Sequence, residues 1–143
     1  MTREKSKRKL DGILFTSDWK GHLYEWDIDN QELVKSYTDI GCSTGIQYIT
    51  SVNNGEFLFI GCFGGYFKQL SVKHKMIIKD YGRIYQEDIS SIAISLDGEN
   101  LFVSDVFGNL KQYSVKRQFM VKDYGIVHEN GIISMITTIF GPF

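Results

Sequence analysis

The chain has 143 residues and a formal net charge of −1, from 16 basic and 17 acidic side chains. That length fits one domain, and so even a balance gives no reason to expect a nucleic-acid polyanion or an anionic membrane as partner. Hydrophobic residues at 43% and charged residues at 23% exclude wholesale disorder, and two cysteines are too few for a disulfide scaffold or a four-ligand zinc site.

In chain order, residues 1–9 come first, with Arg3, Lys5, Lys7, Arg8 and Lys9. This segment lacks the apolar stretch of a secretory signal and reads as a solvated basic tail. Its other readings are a nuclear address or a charged gatekeeper beside an open sheet edge. Leu14-Phe15-Thr16-Ser17-Asp18 then opens a pattern that returns as Leu58-Phe59-Ile60-Gly61-Cys62 and Leu101-Phe102-Val103-Ser104-Asp105, 44 and 43 residues further on. A glycine follows each block at one offset: Gly21, Gly65 and Gly108. Next comes a bulky strand, 22–28, 66–72 and 109–115. Each unit closes on a lysine followed two residues later by tyrosine, at Tyr37, Tyr81 and Tyr124. Such self-similarity outranks any single motif as a guide to fold.

Turn residues separate the strands: Asn53-Asn54-Gly55, Gly64-Gly65 and Asp97-Gly98-Glu99. The aromatic share is 14%, Pro142 is the one proline, and no stretch keeps a helical period. Four short strands per unit of about 43 residues predict an all-β chain of propeller blades. The units resemble WD repeats. Trp26-Asp27 stands at the family's namesake dipeptide, Leu96-Asp97-Gly98 at the turn between first and second strands, Tyr113 at the tryptophan position and His128 at the histidine of its Gly-His motif. The resemblance covers roughly residues 10 to 141 and implies a partial β-propeller of WD-repeat type, with Trp26 inside a blade. The family's aspartate between second and third strands is replaced by Lys20, Gly64 and Phe107, and its histidine by Cys42 and Tyr85 in two units. Its hydrogen-bonded tetrad is therefore absent or rewired.

The expected units run over about 10–45, 46–88 and 89–130, with an extra strand at 131–140. The first unit starts only at its second strand, because the charged tail cannot be a buried innermost strand. Three strands, then four, four and one make 12 short antiparallel strands, about three four-stranded blades. The C-terminal strand is the one that the first unit lacks. Two closures fit this tally: the missing blades of a longer chain, or a homodimer closing a six-bladed ring.

Catalytic signals are thin. His22, His74 and His128 occupy different repeat positions, so no metal site is expected. Asp18 and Asp105 are equivalent and read as turn caps. Cys42 and Cys62 fall on one rim and, in the expected intracellular setting, stay reduced. Gly61-Cys62-Phe63-Gly64-Gly65 joins two strands rather than opening a helix, and so makes no phosphate cradle. The apolar run 132–140 is too short to span a bilayer.

The family resemblance implies a rim that takes partners, here Trp19, Lys20, Phe63, Arg83, Tyr85, Phe107 and His128, with Glu129 beside them. Aromatic and arginine side chains are the ones enriched in binding hot spots. The expected function is a non-catalytic scaffold for a protein or peptide partner, without cofactor, nucleic acid or membrane, in the cytoplasm or the nucleus. The alternative is an enzyme or ligand site in a propeller's central channel. It would call for acids or histidines at the first-strand starts, which instead read Ile46-Gln47-Tyr48, Ile89-Ser90-Ser91 and Ile132-Ile133-Ser134.

Overall fold

A computed structural model describes residues 12–52 and 55–138. The basic tail, Asn53-Asn54 and the end of the 131–140 segment lie outside the described residues. Among the described residues eleven strands form three antiparallel sheets. Sheet one holds β1 (Ile13–Ser17), β2 (Leu23–Asp27) and β3 (Glu32–Tyr37). Sheet two holds β4 (Ile46–Ser51), β5 (Phe57–Cys62), β6 (Tyr66–Ser71) and β7 (Met76–Arg83). Sheet three holds β8 (Ile89–Ile94), β9 (Asn100–Asp105), β10 (Asn109–Ser114) and β11 (Phe119–Ile126). Within each sheet the strands neighbour one another in chain order.

Sheet two lies between the others, and its sequence shows why alternation is weak there. Leu58, Ile60 and Leu70 join Leu23 and Tyr37 of sheet one in one apolar cluster. Phe59 and Phe67 join Leu101, Val103 and Tyr113 of sheet three in another. Strands covered on both faces carry continuous apolar runs. The equivalent positions in sheet one are open: Leu58 is 3% exposed and its counterpart Leu14 49%. Trp26, expected inside a blade, is accordingly half-buried. It stands opposite Leu14 on the face turned away from sheet two, and its indole N–H donates to Thr16 Oγ1 at 2.9 Å.

Local chemistry repeats with the units. Gln31, Lys75 and Gln118 adopt left-handed φ of 58°, 57° and 61° in the hairpins joining third to fourth strands. Asp27, Ser71 and Ser114 cap those hairpins by accepting the backbone N–H three residues on. A hydrogen bond between third and fourth strands also recurs in all three sheets. Each fourth-strand tyrosine donates its hydroxyl to a third-strand Glu or Gln 12 residues earlier: Tyr37 to Glu25 (2.7 Å), Tyr81 to Gln69 (3.2 Å) and Tyr124 to Gln112 (2.8 Å). Glu25 also takes Lys75 Nζ at 2.8 Å from sheet two, so this link ties neighbouring sheets.

Four phenols, those of Tyr37, Tyr81, Tyr85 and Tyr113, set an alkaline limit on stability. Burial pushes Tyr81 and Tyr113 from the ordinary 10 up to about 12. It also raises Tyr37 and Tyr85. Because the folded pKa values are raised, this contribution is complete below pH 10 and is lost as pH climbs from 10 through 12. Tyrosine absorbance at 295 nm is expected to rise together with loss of β-sheet circular dichroism. Smooth ionisation of every tyrosine near pH 10 in a chain still folded would contradict it.

The twelfth strand does not form among the described residues. Residues 131–138 pair with no strand. Ile132, in the place of Ile46 and Ile89, is buried, while Ile133 and Ile136 are each 90% exposed. Ile132 N–H donates to Asp105 O at 3.5 Å, and Thr137 Oγ1 to Ile94 O at 2.6 Å. The segment thus runs beside β8, where an inner strand of a next sheet would stand. A ladder needs a second-strand neighbour there. Among the described residues the open strand of that type is β1, in sheet one beyond sheet two.

Candidate interaction rim

The turns between second and third strands and the loops before each first strand meet at one end of the sheets. Asp18 Oδ1 accepts the N–H groups of Lys20 and His22, each at 2.9 Å, and Oδ2 lies 2.7 Å from His22 Nδ1. That histidine contact, foremost, holds the Asp18 carboxyl below the usual carboxylate range. Asp105 repeats the device on Phe107 N, Asn109 N and Asn109 Nδ2. Both act as turn caps, as their repeat positions suggest.

In sheet two that position is Cys62, and the turn is fastened otherwise. Gly64 N–H donates to Asp88 Oδ1 at 2.7 Å, and Arg83 Nε to Gly64 O at 2.8 Å. Cys62 is joined to Cys42 in a disulfide with a Cα separation of 5.5 Å. The expectation of reduced thiols is corrected here. The loop before β4 brings Cys42, in the histidine position, against Cys62 at the end of β5, the repeat equivalent of the turn caps Asp18 and Asp105.

The periodic glycines are explained by close approach. Gly21, Gly65 and Gly108 have φ of +89°, +91° and +92°. A Cβ on them would fall 2.3, 2.0 and 1.8 Å from the carbonyl oxygens of Cys42, Tyr85 and His128. Each turn therefore seats its backbone on the following loop.

The rim side chains separate into two groups. Trp19 is 83% exposed and Phe107 57%, on capped turns. Lys20, Arg83, His128 and Glu129 are exposed and Phe63 is half-buried. Arg83 spends its guanidinium on Gly64 O and Gln86 O, clamping the loop. Tyr85 is a correction: only 6% exposed, it donates to Val103 O at 2.6 Å beneath Lys111 Nζ, 4.5 Å from its ring centroid. A rim position in sequence puts its ring in the core, because an apolar pocket opens between sheets two and three. Val106 was missed. It is 43% exposed and is the repeat equivalent of Trp19 and Phe63, the signal that could have found it. A cleft of about 560 Å³ beside Phe107 is walled by Arg83, Glu87, Asp105, Lys111 and Asp123.

Neither protein-family models nor curated proteins match this chain. Among solved structures, that of U3-55K superposes with a TM-score of 0.79 at 11% identity, over 87% of this chain and 39% of the other. The crystal structure of the RRP9 WD40 repeats does so with the same score and identity, over 87% and 38%. The fold is a WD-repeat propeller fold. Sheets one to three are blades, and the arc is partial: this chain spans about two-fifths of the length of either structure. Identity this low speaks for the fold alone. Among the described residues no three His, Cys, Asp or Glu side chains are grouped to hold a metal ion. No helix there is long and apolar enough to cross a membrane.

Proposed function

We propose that the chain is a non-catalytic interaction module whose rim docks a peptide or protein partner. The observation that carries this reading is Trp19, 83% exposed on a turn that Asp18 fastens at three points. A large indole left in water on a rigid support is the usual anchor of a binding hot spot. Phe63, Val106 and Phe107 extend the apolar surface along successive blades, with Lys20, His128 and Glu129 supplying a polar margin. Arg83 and Tyr85 shape the loops beneath it and are supporting rather than contacting residues.

Panning a displayed-peptide library tests this. The intact chain is expected to enrich a family of sequences with apolar or aromatic anchors. Trp19→Ala is expected to lose their binding by tenfold or more, while stability changes by less than about 0.5 kcal/mol. Equal binding by Trp19→Ala would overturn the rim as the docking face.

A further inference from the structure

We propose that two copies of this chain close on each other, blade three of each seating on blade one of the other and residues 131–138 lying along the partner's β1. The observations are the two uncovered blade faces. At the junctions inside the chain, one blade's forward face packs on the next blade's rear face. Phe59 and Phe67 of blade two meet Leu101, Val103 and Tyr113 of blade three in this way. Leu23 of blade one meets Leu58, Ile60 and Leu70 of blade two.

One face of each kind is left over. The rear face of blade one shows Leu14 and Leu33, each 49% exposed, with Trp26 half-buried between them in the register. The forward face of blade three shows Phe102 and Leu110, half-buried where Phe59 and Phe67 are fully enclosed, with Tyr124 40% exposed. These are the two halves of an interface that the molecule already makes twice. The backbone agrees. Among the described residues β1 has one open edge, and residues 131–138 stand in an inner-strand place without a ladder partner, with Ile133 and Ile136 90% exposed.

Each copy offers one forward and one rear face, so two copies satisfy all four by a two-fold axis along the channel. Such a pairing closes, whereas a single contact would leave another open edge. Repeat equivalence also names two positions that the pairing brings near each other. At the first junction Lys75 reaches Glu25 at 2.8 Å. The corresponding residues at the new junction are Gln31 of one copy and Gln112 of the other. These positions are remote from the Trp19 turn, so failure of the pairing leaves the proposed rim untouched.

Sedimentation velocity of the 143-residue chain from about 1 to 50 µM is expected to show a discrete species of twice 16.4 kDa. A monomer throughout overturns the proposal. So does an open-ended polymer. Leu14→Glu with Leu33→Glu alters side chains already half in water and is expected to give a folded monomer by circular dichroism; a persistent dimer overturns the face assignment. A charge test covers the case in which that variant fails to fold. Gln31→Glu with Gln112→Glu is expected to weaken dimerisation about tenfold, and Gln31→Lys with Gln112→Glu to restore or exceed the parent affinity. Identical affinities for the two charge variants would overturn the pairing.

Discussion

Phe67→Ala is expected to lose about 3–5 kcal/mol of stability. Phe67 is fully buried, and its ring centroid lies 5.8 Å from Phe59, 5.1 Å from Tyr81 and 5.9 Å from Tyr113. Removing it takes away the apolar area of the side chain and leaves a cavity that three other aromatic rings cannot fill together without leaving their rotamers. Those three rings come from both blades at the junction, so the loss uncouples blade two from blade three. Urea unfolding followed by circular dichroism measures the change. A cost under about 1 kcal/mol would mean that the junction repacks freely and that the second apolar cluster is not a specific interface.

The second large effect is expected at Gly65, and a matched control separates its two causes. Gly65→Ala meets the Tyr85 carbonyl oxygen at 2.0 Å and must also hold φ at +91°. Gly82→Ala faces a similar φ of +73° with nothing within 4 Å. The control is expected to cost about 1 kcal/mol from the left-handed backbone alone. Gly65→Ala is expected to cost about 3 kcal/mol, because backbone rather than a side-chain tip is in the way. Thermal melts of the two variants side by side decide the matter. Equal losses would leave the repeated rim glycines explained by backbone conformation without the close approach.

Those same glycines show how far the sequence could be read. Gly21, Gly65 and Gly108 recur at one offset after a Leu-Phe pair, and that spacing alone announces the blades and most strand positions. Turn caps were legible for a similar reason: Asp18 and Asp105 hold equivalent positions, and chemistry that recurs with the repeat is structural. What could not be read depends on neighbours in space. Tyr85 and His128 share a repeat position, yet one ring is buried and the other side chain exposed, because blade three covers the first and nothing in the described chain covers the second. Trp26 matches its family position, but no blade among the described residues covers its face. The link from Tyr37, Tyr81 and Tyr124 to Glu25, Gln69 and Gln112 keeps a constant spacing. It escapes notice because the acceptor changes between Glu and Gln, and the family pattern directs attention to other residues. The segment 131–138 carries the right side chains for a strand; a backbone ladder with a neighbouring strand, which sequence periodicity does not supply, is what it lacks among the described residues.

The fastened Trp19 turn has a thermodynamic consequence. Backbone N–H groups of Lys20 and His22 are already satisfied by Asp18, and Gly45 packs so closely that a Cβ there would lie 2.1 Å from the Trp19 carbonyl oxygen. Little backbone freedom remains to be surrendered when a ligand arrives. The ordering entropy that weakens association by mobile loops is already spent during folding. Calorimetry of a rim ligand should therefore show a negative heat-capacity change from the covered indole without the large opposing entropy of a loop that orders on contact.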